Sequence, residues 1–129
     1  MICRRHLMAT LALLPLAALP ALANTFPRYS KSAFDEAQKG GKSILVVVSA
    51  PWCPTCKTQD PIIRKLLSET KYKDVMVFEV DFDSEKDILR GFRANKQSTL
   101  IGFKGSKETG RSVGDTSPLS IEDLIEATL

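Results

Sequence analysis

The sequence predicts one α/β domain, a central mixed β-sheet with helices on both faces, and three observations carry that prediction. Ile44 to Val48 is an unbroken apolar run, rich in β-branched residues and too short for a typical helix, which is the pattern of a strand buried on both faces. Immediately afterwards Trp52-Cys53-Pro54-Thr55-Cys56 opens a stretch with helical periodicity. Beyond it, strand and helix patterns alternate and end in a hairpin and a last helix, an order that gives a sheet both parallel and antiparallel neighbours.

Taken in order, Asn24 to Ser30 contains Pro27 and reads as an extended arm. A helix is expected from Lys31 to Lys39, closed by Gly40-Gly41, with Phe34 and Ala37 facing inward. The Ile44 to Val48 strand follows and is expected to be central. From Cys53 to about Thr70, Ile62, Ile63, Leu66 and Leu67 recur at helical spacing, while Arg64, Lys65 and Glu69 fall on the other side. Pro61 removes one backbone hydrogen bond and should kink this helix between the turn carrying the cysteines and its longer body. Val75 to Phe82 reads as a second strand, and Ser84 as the cap of a short helix through about Phe92. Thr99 to Phe103 and Lys107 to Val113 form a hairpin around Gly105-Ser106. Ser117 and Pro118 open the last helix, with Leu119, Leu124, Ile125 and Leu129 as its apolar face.

Ahead of the domain, residues 1–23 have the form of a signal peptide. A basic start with Arg4-Arg5 precedes an uncharged apolar run from Leu11 to Leu22, shorter than a bilayer span, and Ala21-Leu22-Ala23 supplies small residues for cleavage after Ala23. The expected location is therefore periplasmic or otherwise exported. Export removes Cys3 and the sole histidine, His6, leaving residues 24–129 as one domain with two cysteines. The full chain carries 18 basic and 15 acidic residues, and the loss of two arginines brings the net charge from +3 to +1. A nearly neutral domain gives no basis for binding nucleic acid or a lipid surface. A monomer without a membrane anchor is expected.

Cys53 and Cys56 lie one helical turn apart, a spacing a disulfide bridges without refolding. Free amides at a helix start favour negative charge, so Cys53 is the expected nucleophile. Cys56, further in and expected to be less exposed, resolves the mixed disulfide. Pro54 restricts the loop and Thr55 offers a hydroxyl to the sulfurs, so both should tune the potential. Such exchange needs no cofactor. A structural disulfide is the weaker reading, because so short a loop removes little unfolded-chain entropy. Structural zinc needs four nitrogen or sulfur ligands and the mature chain holds two cysteines and no histidine, so no metal site is assigned. A copper(I) site or an iron–sulfur cluster shared between two chains is the alternative class.

These residues resemble the thioredoxin family over nearly the whole mature chain. The resemblance rests on Ile44 to Val48, Trp52 to Lys57, Pro61 five residues after the second cysteine, Val80 to Asp83, Thr99 to Lys104, and Val113-Gly114 before the last helix. It implies a thioredoxin fold and a thiol:disulfide oxidoreductase acting on cysteines of proteins or peptides, here exported ones. Trp52-Cys53-Pro54-Thr55-Cys56 is also similar to the membrane-tethered reductases of cytochrome c maturation, which implies a reducing role and a membrane protein as thiol-electron donor. An oxidase or isomerase of disulfides is the alternative direction, since about 30 mV shifts this equilibrium tenfold.

Two departures from the family pattern stand out. Thioredoxins carry a cis-proline facing the dithiol where this sequence has Ser98, in the order Gln97-Ser98-Thr99. A cis bond before a non-proline residue costs about 2.5–4 kcal/mol, so a trans Gln97-Ser98 bond is expected, with the Ser98 amide and hydroxyl brought near the sulfurs. Trp52, Gln97 and Ser98 are expected to shape the groove where substrate docks. Thioredoxins also keep a buried aspartate on the central strand, and the matching residue is Val47. Glu79 falls where the family places a buried lysine beside that aspartate, which makes it a candidate acid/base for Cys56, against the alternative of a solvated glutamate at a sheet edge.

Overall fold

Residues 26–129 are described by a computed structural model; the predicted leader and the first two residues of the arm lie outside the described residues. Helix α1 spans Lys31–Lys39, with Ser30 as its N-cap and Gly40-Gly41 at its end, where Gly41 takes the positive φ (66°) that closes helices. Strand β1 (Ser43–Ser49) leads to α2 (Pro54–Leu67), a short 3₁₀ turn at Thr70–Tyr72, β2 (Met76–Asp81) and α3 (Lys86–Phe92). The hairpin β3 (Thr99–Lys104) and β4 (Lys107–Val113) precedes α4 (Pro118–Glu126).

The sheet order is β2-β1-β3-β4, with β1 parallel to β2 and antiparallel to β3. The parallel step is made through α2, as a crossover requires, and the antiparallel hairpin closes the far edge. Because β1 is central and covered on both faces, its side chains alternate between two cores. Ile44, Val46 and Val48 pack with Phe34, Phe78, Val80 and Ile101 beneath α1 and α3. Leu45 and Val47 pack with Ile63, Leu66, Leu100, Ile121 and Ile125 beneath α2 and α4. This explains the unbroken apolar run, since neither face meets water. The arm seals the outer edge of β2: Glu79 N–H donates to the Pro27 carbonyl and Tyr29 N–H to that of Glu79, each at 2.8 Å. Phe26 is buried in the second core, under the Arg64 guanidinium 4.1 Å from its ring.

Two expected details are corrected. Ser84 does not cap α3, because its hydroxyl donates to the Asp81 carboxylate at 2.5 Å and Glu85 takes the cap position. The helix begins at Lys86, which places Ser84 one residue before the cap position, where the Asp81 carboxylate holds its hydroxyl. In α4 the face is set by Ile121 and Ile125, fully buried one turn apart, with Leu124 partly buried; Leu119 and Leu129 are exposed. Leu119 lies two positions before Ile121, on the other side of the helix, and Leu129 falls beyond its end. Helix α2 runs across Pro61 as a single element.

Gly102 marks a place where the C-terminal segment sits close on the sheet. A Cβ there would meet Thr128 Cγ2 at 2.9 Å, Thr109 Oγ1 at 3.1 Å and the Leu124 carbonyl at 3.3 Å. Gly102→Ala should destabilise the domain by about 1–3 kcal/mol in urea unfolding with an unchanged m-value. A loss under about 0.5 kcal/mol would show that α4 is not seated on β3 as tightly as these distances require.

Candidate active site

The dithiol sits where the buried central strand gives way to a helix. Cys53 and Cys56 are disulfide-bonded, with Cα atoms 5.3 Å apart, inside the range such bridges occupy. Cys53 is itself the N-cap of α2, followed by Pro54 at the first helical position, where a missing amide costs nothing. Its sulfur accepts the Cys56 N–H at 3.1 Å, so one orphan donor of the helix is aimed at Sγ and favours negative charge there once the bridge opens. The Cys56 sulfur instead lies 3.9 Å from the Val48 carbonyl oxygen, an acceptor that favours a protonated thiol. The two sulfurs thus sit in opposite electrostatic environments.

Exposure runs against expectation. Cys53 has no accessible surface, whereas Cys56 is 8 % exposed. The N-cap geometry turns the Cys53 side chain inward beside Ala50 and Phe82, while Cys56 lines an open cleft of ≈ 500 Å³. The contrast between the two sulfurs is therefore electrostatic, not one of access in the bridged form.

That cleft also gathers Arg28, Lys57, Arg64, Asp60, Glu79 and Asp81, three charges of each sign. Glu79 is opposite Val47 in the β1–β2 register, and its side chain is 15 % exposed. It is on an edge strand, as the alternative reading supposed, yet the arm covers that edge, and Arg28 of the arm reaches Glu79 at 3.4 Å and Glu85 at 2.5 Å. Sequence reasoning missed Arg28 because the arm has no periodicity to say which strand it follows.

On the other side of the dithiol, no cis peptide bond occurs among the described residues, and Ser98 takes φ +56°. This left-handed conformation costs a non-glycine residue on the order of 1–2 kcal/mol. Hydrogen bonds hold it there: Ser98 N–H donates to the Val48 carbonyl at 2.9 Å, and the Ser98 carbonyl accepts Gly114 N–H at 3.0 Å and Gln59 Nε2 at 3.2 Å. At roughly 0.5–1.5 kcal/mol net each, these bonds offset the strain. The Ser98 hydroxyl donates to the Gln97 carbonyl at 2.6 Å, so its amide and hydroxyl are both engaged with the backbone and not with the sulfurs. Gln97 is half-buried beside it. Trp52 is 54 % exposed, fixed by its indole N–H to Asp83 at 2.9 Å and edge-on to Phe82. Pro54 is exposed, and the half-buried Thr55 makes no hydrogen bond to either sulfur. The second residue that sequence reasoning missed is Gln59, buried in α2.

This geometry coincides with what known proteins show. Residues 26–127 match the family model for thioredoxin. The chain belongs to the thioredoxin family. Thioredoxin-2 of Saccharomyces cerevisiae is 33% identical over 101 residues, covering 78% of this chain and 94% of that protein. Human thioredoxin is 36% identical over 102 residues, covering 78% and 90%. Among solved structures, Trxlp from Edwardsiella tarda EIB202 superposes with a TM-score of 0.75 at 40% identity, covering 78% of this chain and 98% of that one. With the bridged Cys53 and Cys56 at the helix start, the family establishes a thiol-disulfide oxidoreductase on the thioredoxin fold, and protein thiols and disulfides as its class of substrate.

Asp81 lines the same cleft as Glu79. The Ser84 hydroxyl, and to a lesser degree the Asp83 amide and the Arg28 guanidinium, hold its carboxyl below the ordinary value of 3.8. A depressed folded-state pKa adds stability that is present above the unfolded value and is lost as pH falls through the folded one. Asp81→Asn should therefore lower the thermal midpoint at pH 7, and the gap to the unsubstituted protein should close as the pH falls below the ordinary carboxylate range. A gap that persists unchanged at low pH would assign Asp81 a packing role instead.

Proposed function

We propose that the chain is an exported reductant of protein disulfides, acting outside the cytoplasm after removal of its leader near Ala23. The observation that carries this reading is the pairing of the leader-like residues 1–23 with a dithiol whose first sulfur receives a helix amide and whose second faces a carbonyl. In the reductive half-reaction the Cys53 thiolate attacks one sulfur of a substrate disulfide, forming a mixed disulfide and releasing a substrate thiolate. Cys56 then gives up its proton and attacks Cys53 Sγ, which closes the Cys53–Cys56 bridge and releases the second substrate sulfur. Two electrons pass from the dithiol to the substrate disulfide. In an oxidising compartment the bridge must be reopened by an external dithiol, and a membrane thiol-electron donor fits that requirement.

Glu79 is the proposed acceptor for the Cys56 proton. Support comes from the shared cleft, the absence of an acidic side chain at Val47, and the Arg28 contact that orients the carboxylate. Ser98 stands in for the loop proline of relatives, and with Gln97 and the exposed Trp52 it forms the rim on which a substrate docks.

Two measurements check these proposals. Equilibration of the purified protein with glutathione buffers should give a potential near about −270 mV, and one near about −120 mV would make it an oxidant. Replacing Glu79 by Gln should slow the Cys56 step and move its pH profile, followed as closure of the mixed disulfide. An unchanged profile would remove Glu79 from the mechanism while leaving the dithiol chemistry intact.

A further inference from the structure

We propose that Gln59 is a positioning residue for thiol–disulfide exchange, its buried carboxamide holding the Ser98 loop and the Asp115 turn against the helix that carries Cys56. This concerns exchange in either direction and does not depend on the reductant reading.

Gln59 lies one helical turn after Cys56 and is 1 % exposed, on a face of α2 whose other buried members are Cys56, Ile63 and Leu66. Its Nε2 donates to two carbonyls, Ser98 at 3.2 Å and Asp115 at 2.8 Å. Two carbonyl oxygens at this end fix the orientation of the amide, since the reverse would set oxygen against oxygen. The other end, Oε1, is buried and has no hydrogen-bond partner. A buried acceptor left unpaired is unfavourable relative to an apolar side chain of similar volume. With two donor bonds on one side and an orphaned acceptor on the other, net stability gives little reason for a glutamine at this position, whereas the double reach of its donor end does.

What that reach accomplishes follows from the local circuit. The Val48 carbonyl is shared by Cys56 Sγ and Ser98 N–H, and the Ser98 carbonyl by Gly114 N–H and Gln59. One turn of α2 returns from Gln59 to Cys56, so the sulfur, the strained loop residue and the helix form a closed ring of contacts. Apart from the Cys56 sulfur itself, the Gln59 carboxamide is the side-chain member of that ring, and it can be removed without touching the backbone or the dithiol. Because the two sulfurs expose so little surface, a protein substrate must be met by the loops around them. A small disulfide makes no such demand.

The test compares Gln59→Leu and Gln59→Met, which keep volume and remove both ends of the amide. Thermal midpoints should change little, since loss of the two donor bonds is offset by removal of the buried, unpaired Oε1. For insulin reduction with dithiothreitol as electron source, kcat/KM should fall about tenfold, chiefly through KM, while the rate with the aromatic disulfide DTNB stays within about twofold. In a Ser98→Gly background, where positive φ carries no penalty, the effect of Gln59→Leu should shrink to under about threefold. The proposal is overturned by unchanged insulin kinetics, or by an undiminished effect in the Ser98→Gly background. It is equally overturned if midpoint, insulin rate and DTNB rate all fall together, because that pattern belongs to a residue that only supports the fold.

Discussion

The Val48 carbonyl, at the C-terminal end of the central strand, accepts the Ser98 amide at 2.9 Å and faces the Cys56 sulfur at 3.9 Å. One peptide group thus fixes both the dithiol and the loop beside it, and it is fixed in turn by a strand packed on two sides. A backbone oxygen in such a strand cannot drift, since moving it would disturb both cores at once. The electrostatic contrast between the sulfurs rests on this. Cys53 is served by a helix amide and Cys56 by a strand carbonyl, and both groups belong to regular structure.

The same strand explains why the cleft forms where it does. Val47 and Glu79 are partners across β1 and β2, so an apolar side chain on the central strand sits beside a carboxylate on the edge strand. The edge is then covered by the arm, whose Phe26 is anchored in the core and whose Arg28 bridges Glu79 and Glu85. Charge that cannot be held in the middle of the sheet is held at its margin, where water and a guanidinium both reach it.

Much of this was legible in the sequence, for identifiable reasons. The run from Ile44 to Val48 could only be a doubly covered strand, and Cys53, Pro54 and Cys56 after it could only begin a helix. Gly40-Gly41, Ser117-Pro118 and the Gly105-Ser106 turn are local signals whose effect does not depend on distant partners. The failures turn instead on which of several competing partners a side chain meets in the folded chain, near or far. Ser84 was captured by Asp81 across a turn, and Leu119 lost its place to the Ile121 and Ile125 pair. Cys53 was buried by packing beside Ala50 and Phe82. Arg28 and Gln59 act on residues more than thirty positions away, and no periodicity encodes where such a side chain arrives.

The left-handed backbone at Ser98 also bears on how this loop can change over generations. Proline fixes φ near about −65° and has no amide proton. A single exchange to proline at position 98 would therefore forfeit both the +56° conformation and the hydrogen bond to Val48. The Ser98 carbonyl would turn away from Gly114 and Gln59 in the same step, leaving the buried Gln59 amide with the Asp115 carbonyl alone. The loop is accordingly held by its own neighbours: residue 98 shares one set of hydrogen bonds with Val48, Gly114 and Gln59, so a proline there would call for compensating changes around it.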